Sequence, residues 1–77
     1  MRHGSDIEYH AGNFGERLVY VKRMESLSWQ DISSRSGVSV NMLCCYAMQR
    51  RHPTLYSAVA IARALDVSLD WLSGLED

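Results

Sequence analysis

The stretch LSWQDISSRSGVS, residues 27–39, decides how this chain folds. Ser28 has the form of a helix N-cap, a side-chain oxygen set to accept from an unpaired N–H of the first turn. Asp31, three residues on, places a carboxylate at the positive end of that helix. Ile32 is the main inward apolar residue of the two turns that follow. Gly37 stands where the helix must stop in the left-handed region, which glycine enters at no steric cost. Ser39 then caps the next helix. Two short helices joined by about three residues cannot lie antiparallel, so they cross steeply, as a helix-turn-helix over residues 28–48.

Toward the N-terminus, residues 13–16 (NFGE) have the form of a capping box, which predicts a first helix from Asn13 to near Glu25. Phe14, Leu18 and Val21 recur at i, i+4 and i+7 as its apolar stripe. Toward the C-terminus, Pro53 suits a helix start, with Leu55, Val59, Ala62 and Leu65 as the inner stripe. Ser68 caps a last short helix that buries Trp71 and Leu72 before Gly74 stops it. Five short helices with turn residues at each junction and no alternating strand pattern predict an all-α fold, a compact helical bundle. Residues 1–12, MRHGSDIEYHAG, lack a clear period and read as a flexible arm or an expression remnant, leaving residues 13–77 as one domain.

Bulk composition narrows the function. A chain of 77 residues holds one core, and 47% hydrophobic with 22% charged residues is ordinary for a soluble globular protein. No apolar stretch approaches the ~18–20 residues that cross a bilayer, so a cytoplasmic protein without membrane contact is expected. Cys44 and Cys45 are neighbours, which disfavours a disulfide between them and fits a reducing compartment. They and His52 lack a fourth ligand, and His3 and His10 stand apart, so no metal site is expected. No Ser/His/Asp set, phosphate loop or paired carboxylates occur at useful spacing, so neither an enzyme, a cofactor nor a small-molecule substrate is expected. The net charge of −1 is unevenly spread: residues 17–65 carry seven basic against two acidic residues. Such a central surface is able to face phosphate although the chain as a whole is slightly acidic.

Residues 27–39 together with Pro53-Thr54-Leu55 and residues 64–74 (ALDVSLDWLSG) resemble the Cro/C1-type (XRE) helix-turn-helix family of phage and bacterial repressors. The likeness covers about 60 residues without a long gap, matching at several spaced points. It implies a lambda-repressor-like DNA-binding domain that acts as a transcriptional regulator of phage or prophage type, bound to a double-stranded operator as a homodimer. Departures are specific. Trp29 stands where the family begins its second helix with a phosphate-binding Gln, and Gln30 comes one place later. Ser33 replaces the family's Ala, and Ser36 its Leu or Met before the turn. Ala47 occupies the place of an acid, so Lys22 lacks the ion-pair partner found in some relatives.

At 100° per residue from Leu43, Tyr46, Ala47 and Arg50 lie within about 60°, whereas Asn41, Cys44, Cys45 and Met48 lie about 100–200° away. In a repressor-like fold the second group, with Ser39 and Val40, enters the major groove as a recognition helix over about 39–48. Asn41 is the clear base reader, since its amide donates and accepts together at adenine N6 and N7. Val40, Cys44, Cys45 and Met48 offer apolar contact suited to thymine methyl groups, and Arg50 and Arg51 are candidate phosphate clamps. Trp29 reads either as core packing or as a DNA contact beside Gln30. The resemblance places a dimer contact near the last helix, at Trp71, Leu72 and Leu75. The competing reading is a protein-interaction module, antitoxin-like or a repressor partner, that uses the uncharged 42–48 face.

Overall fold

Capping chemistry cuts the chain into its elements. The computed structural model describes residues 11–74, with side chains from Phe14 onward. Five helices run in order: α1 Ala11–Met24, α2 Trp29–Ser36, α3 Val40–Ala47, α4 Leu55–Leu65 and α5 Leu69–Ser73. Among the described residues there is no strand, so the fold is all-α as expected. Leu75 and residues 1–10, with His3 and His10, lie outside the described residues.

Four helices open on a hydroxyl cap: Ser28, Ser39, Thr54 and Ser68 each accept from the backbone N–H three residues ahead. Each hydroxyl satisfies one donor that the helix itself leaves unpaired. The α4 cap is Thr54, one residue after Pro53, which itself lies outside the helix. Helix α1 begins at Ala11, two residues before the expected start, so Asn13 is inside the helix and not its cap. An Asx cap needs a non-helical backbone, which position 13 does not have.

Helix ends are closed by left-handed residues. Ser26 (φ 55°), Gln49 (φ 62°) and Asp66 (φ 57°) follow α1, α3 and α4, while Gly37 (φ 78°) and Gly74 (φ 89°) follow α2 and α5. After Ser26 and Asp66 the next residue donates back five positions, Leu27 N to Lys22 O at 2.9 Å and Val67 N to Ala62 O at 3.0 Å. Leu27 and Val67 then pack on the core, which completes the turn with an apolar contact.

The core takes at least one fully buried side chain from every helix: Phe14 and Leu18 from α1, Ile32 from α2, Leu43 from α3, Ile61 from α4 and Leu72 from α5. Each burial contributes roughly 1.5–3 kcal/mol relative to exposure. Phe14 and Tyr46 meet edge-on, ring centroids 6.0 Å apart. In α4 the buried stripe is Ala58, Ile61, Ala62 and Leu65, whereas Leu55 is 72% exposed and Val59 only partly buried. The expected α4 stripe was thus right at its C-terminal half and wrong at Leu55. An i, i+4, i+7, i+10 row through Leu55 and an i, i+3, i+4, i+7 row through Ala58 share two members, and packing on α2 and α5 selects the latter.

Candidate nucleic-acid interface

At the start of α2, Ser28 Oγ accepts from Asp31 N at 3.0 Å and Ser28 N donates to Asp31 Oδ2 at 2.9 Å, a complete capping box. The Ser28 backbone N–H, then its hydroxyl, and then Arg35 hold the Asp31 carboxyl below its ordinary pKa. Gly37 ends the helix, its N–H donating to Ser33 O at 2.8 Å. Val38 packs on the core and its N–H donates to Ser36 Oγ at 3.1 Å, which pins the turn. Ser39 Oγ then accepts from Met42 N at 3.2 Å and starts α3. The turn is therefore Gly37, Val38 and Ser39, and α2 packs directly against α3.

Helix α3 carries no charged side chain and divides as its periodicity predicts. Leu43 and Tyr46 are buried; Ser39, Asn41 and Met48 are exposed; Val40, Cys44 and Cys45 are half-exposed. Met42 packs against the core, so the open part of residues 42–48 reduces to Cys44, Cys45, Met48 and the edge of Ala47. The expected 42–48 apolar face is correspondingly smaller than seven residues.

A continued helix would carry Arg50 back over the buried side, but α3 stops at Ala47. Gln49 turns into the left-handed region and Arg50 N donates to Cys45 O at 2.9 Å. The residue that follows this turn is commonly apolar and inward; here it is Arg50, exposed, with Arg51 exposed beside it. Two guanidinium groups thus stand at the end of α3.

Trp29 and Gln30 separate. Gln30 is exposed at the start of α2, whereas Trp29 is half-buried against the core with the Lys22 ammonium 5.0 Å from its ring centroid. Lys22 thus rests on an aromatic face, a contact worth about 0.5–2 kcal/mol. Spacing alone did not signal that pairing. The trace in sequence is the joint departure of positions 29 and 47 from the repressor pattern that the chain resembles.

Of the residues expected near a dimer contact, the two that are described, Trp71 and Leu72, do not form an open patch. Leu72 is 0% exposed and offers no side-chain surface to a partner, because the α5 turn points it into the core. Trp71 is half-buried, with Arg17 5.0 Å over its ring, Tyr20 6.2 Å away and its carbonyl accepting from Arg17 Nη1 at 2.7 Å. The large apolar side chains that do stand open on α4 are Leu55, 72% exposed, and Tyr56, 84% exposed.

Sequence reading also passed over Gly15. A Cβ at this position would lie 2.5 Å from Tyr46 O and 3.2 Å from Ala47 O. Only glycine lets α1 approach the end of α3 this closely. No helix among the described residues is long and apolar enough to cross a membrane.

No family model matches the chain. Over 62 residues it is 27% identical to the uncharacterized HTH-type transcriptional regulator YobD of Bacillus subtilis strain 168, an alignment covering 80% of this chain and 55% of that protein. The chain thus spans about half the length of this curated relative. In three dimensions it is similar to the restriction-modification controller protein C.AhdI from Aeromonas hydrophila. The TM-score is 0.76 at 24% identity, over 80% of this chain and 94% of that one. The chain therefore has the all-α helix-turn-helix fold of that controller protein and is similar in sequence to a helix-turn-helix transcriptional regulator.

Proposed function

We propose that this protein binds double-stranded DNA sequence-specifically as a transcriptional regulator, a Cro/C1-type repressor of phage or prophage kind acting in the cytoplasm as a homodimer. One observation carries the reading: α3 is anchored by Leu43 and Tyr46 and turns Asn41, Cys44, Cys45 and Met48 outward, with Arg50 and Arg51 exposed at its end. In this reading α3 lies in the major groove, Asn41 reads a base, the apolar positions meet thymine methyl groups, and the arginines hold phosphates. With one amide among the outward residues of α3, DNA shape supplies part of the selectivity. Gln30 reaches the backbone at the start of α2, while Trp29 supports Lys22 from beneath.

A dimer supplies the surface that a single short recognition helix lacks. Leu55 and Tyr56 support it as open apolar surface better than Leu72 does.

Selecting from a random duplex library with the purified chain, and sequencing what is retained, tests the proposal. A shared motif with an inverted repeat is the expected result. Retention with no motif at low salt overturns sequence-specific binding in favour of a protein partner, and a motif without two-fold symmetry overturns the homodimer. On the selected duplex, Asn41→Ala should relax preference at one base pair by about 1–3 kcal/mol, and Arg50→Ala should weaken all sequences alike. Equal loss on all sequences for Asn41→Ala removes its role as reader.

A further inference from the structure

We propose that the adjacent thiols of Cys44 and Cys45 are a binding site for trivalent arsenicals, and that filling it takes the α3 face away from DNA. The second half rests on the DNA-binding reading above; the first does not. Both cysteines are free thiols in the interior of α3 and half-exposed, while the buried side of the helix is held by Leu43 and Tyr46. Neither residue belongs to the buried core cluster or to the side chains packed against it.

Helix geometry limits what this pair does. Neighbouring Cα atoms lie ~3.8 Å apart, below the ~4.4–6.8 Å that disulfides span, so an internal disulfide does not form while α3 stays helical. Adjacent Cβ atoms on a helix are roughly 5 Å apart, 100° around the axis. Rotation of the two side chains toward each other brings their sulfurs to one shared atom. Soft thiolate ligands select a soft centre. Zinc needs four protein ligands, and among the described residues no three Cys, His, Asp or Glu side chains gather to begin such a set. Trivalent arsenic needs two sulfurs from the protein, because its third substituent is its own organic group.

The reaction balances without an oxidant. An organoarsenous acid, R–As(OH)2, meets two thiols; two As–S bonds form and two As–O bonds break. Both thiol protons leave on the departing hydroxides as two waters, and arsenic stays trivalent throughout. Two sulfurs on one helix act as a chelate, since after the first bond the second thiol is already at high effective concentration. A competing monothiol therefore does not displace the arsenic, whereas a competing dithiol does. The bound group projects from the same side of α3 as Asn41 and Met48, where a base pair would lie.

Phenylarsine oxide, which hydrates to the acid in water, is the probe. Mixed with the full chain, it should add one arsenic per chain by intact mass, with the helical circular dichroism kept. The adduct should survive excess glutathione and be stripped by 2,3-dimercaptopropanol. In Cys44→Ser and in Cys45→Ser, glutathione alone should remove it. Equal stripping by glutathione from the parent chain and the single variants overturns the chelate, and loss of helical signal on binding overturns its placement on an intact α3. On the selected duplex, the arsenical should lower affinity by roughly tenfold or more, the scale of a lost base-pair match, and should leave the double Cys44→Ser, Cys45→Ser variant unaffected. Full affinity with arsenic bound overturns the switch. If the untreated chain binds no duplex, the DNA reading has failed, and the mass measurement still decides the thiol site.

Discussion

Gln49 shows how one residue sets the end of α3. Its φ of 62° costs a side-chain-bearing residue about 1–2 kcal/mol, which glycine avoids, against about 0.5–1 kcal/mol for the extra freedom glycine has when unfolded. Gln49→Gly should therefore stabilise the domain by about 0.5–1 kcal/mol in denaturant unfolding and leave duplex affinity unchanged. Destabilisation would mean that the Gln49 side chain makes a contact that outweighs its backbone. Asp31 sets the other side of the motif. Its carboxyl is held below the ordinary pKa by the Ser28 backbone N–H first, then by the Ser28 hydroxyl and Arg35. A folded pKa below the unfolded one means that the contribution is present above the unfolded value and fades as pH falls through the folded one. The thermal midpoints of the parent and Asp31→Asn should accordingly converge on acidification below the usual carboxylate range. A gap that persists undiminished there would assign the role of Asp31 to something other than its charge.

Among the elements, α1 and α3 are the pair on which the site depends. Gly15 brings them together over the carbonyls of Tyr46 and Ala47, and Phe14 closes edge-on against Tyr46. A methyl group at position 15 would meet backbone, which gives way only if one helix moves. Gly15→Ala should thus cost about 1–3 kcal/mol of stability, the range for overpacking. It should also weaken DNA binding in the fraction that remains folded, because α3 is the helix displaced. Unchanged unfolding midpoint and affinity would show that α1 slides without cost. Arg17, two residues on, does the complementary work toward α5, joining α1 to the Trp71 carbonyl and ring.

For the molecule as a whole, the net charge of −1 says less than its distribution. Arg50 and Arg51 are exposed at the end of α3, which itself carries no charge. If they neutralise phosphates, affinity falls as salt rises, by about one unit of log–log slope for each contact. Replacing both with Ala should reduce that slope by about two per protomer in a titration across salt concentrations. A slope the same as that of the parent chain would place both arginines off the DNA. The whole molecule also decides which apolar residues are left open. Leu55 and Leu72 are the same residue type in short helices, yet one is 72% exposed and the other 0%.

By itself the sequence determined what depends on near neighbours: the caps at Ser28, Ser39 and Ser68, the left-handed stop at Gly37, and the inward stripes of α1 and α3. These are interactions within three or four residues, so spacing encodes them directly. The resemblance to repressors was legible for the same reason, since it rests on cap and turn spacing. Only the tertiary structure decided the Gly15 approach to α3, the Lys22 seat on Trp29, the burial of Leu72 and the exposure of Leu55. It also placed Arg50 outside, through a left-handed turn at a glutamine that no composition rule flags. Each of these depends on which helix lies opposite, or on strain that packing elsewhere sustains. Such dependence joins residues far apart in the chain, and local spacing carries no record of it.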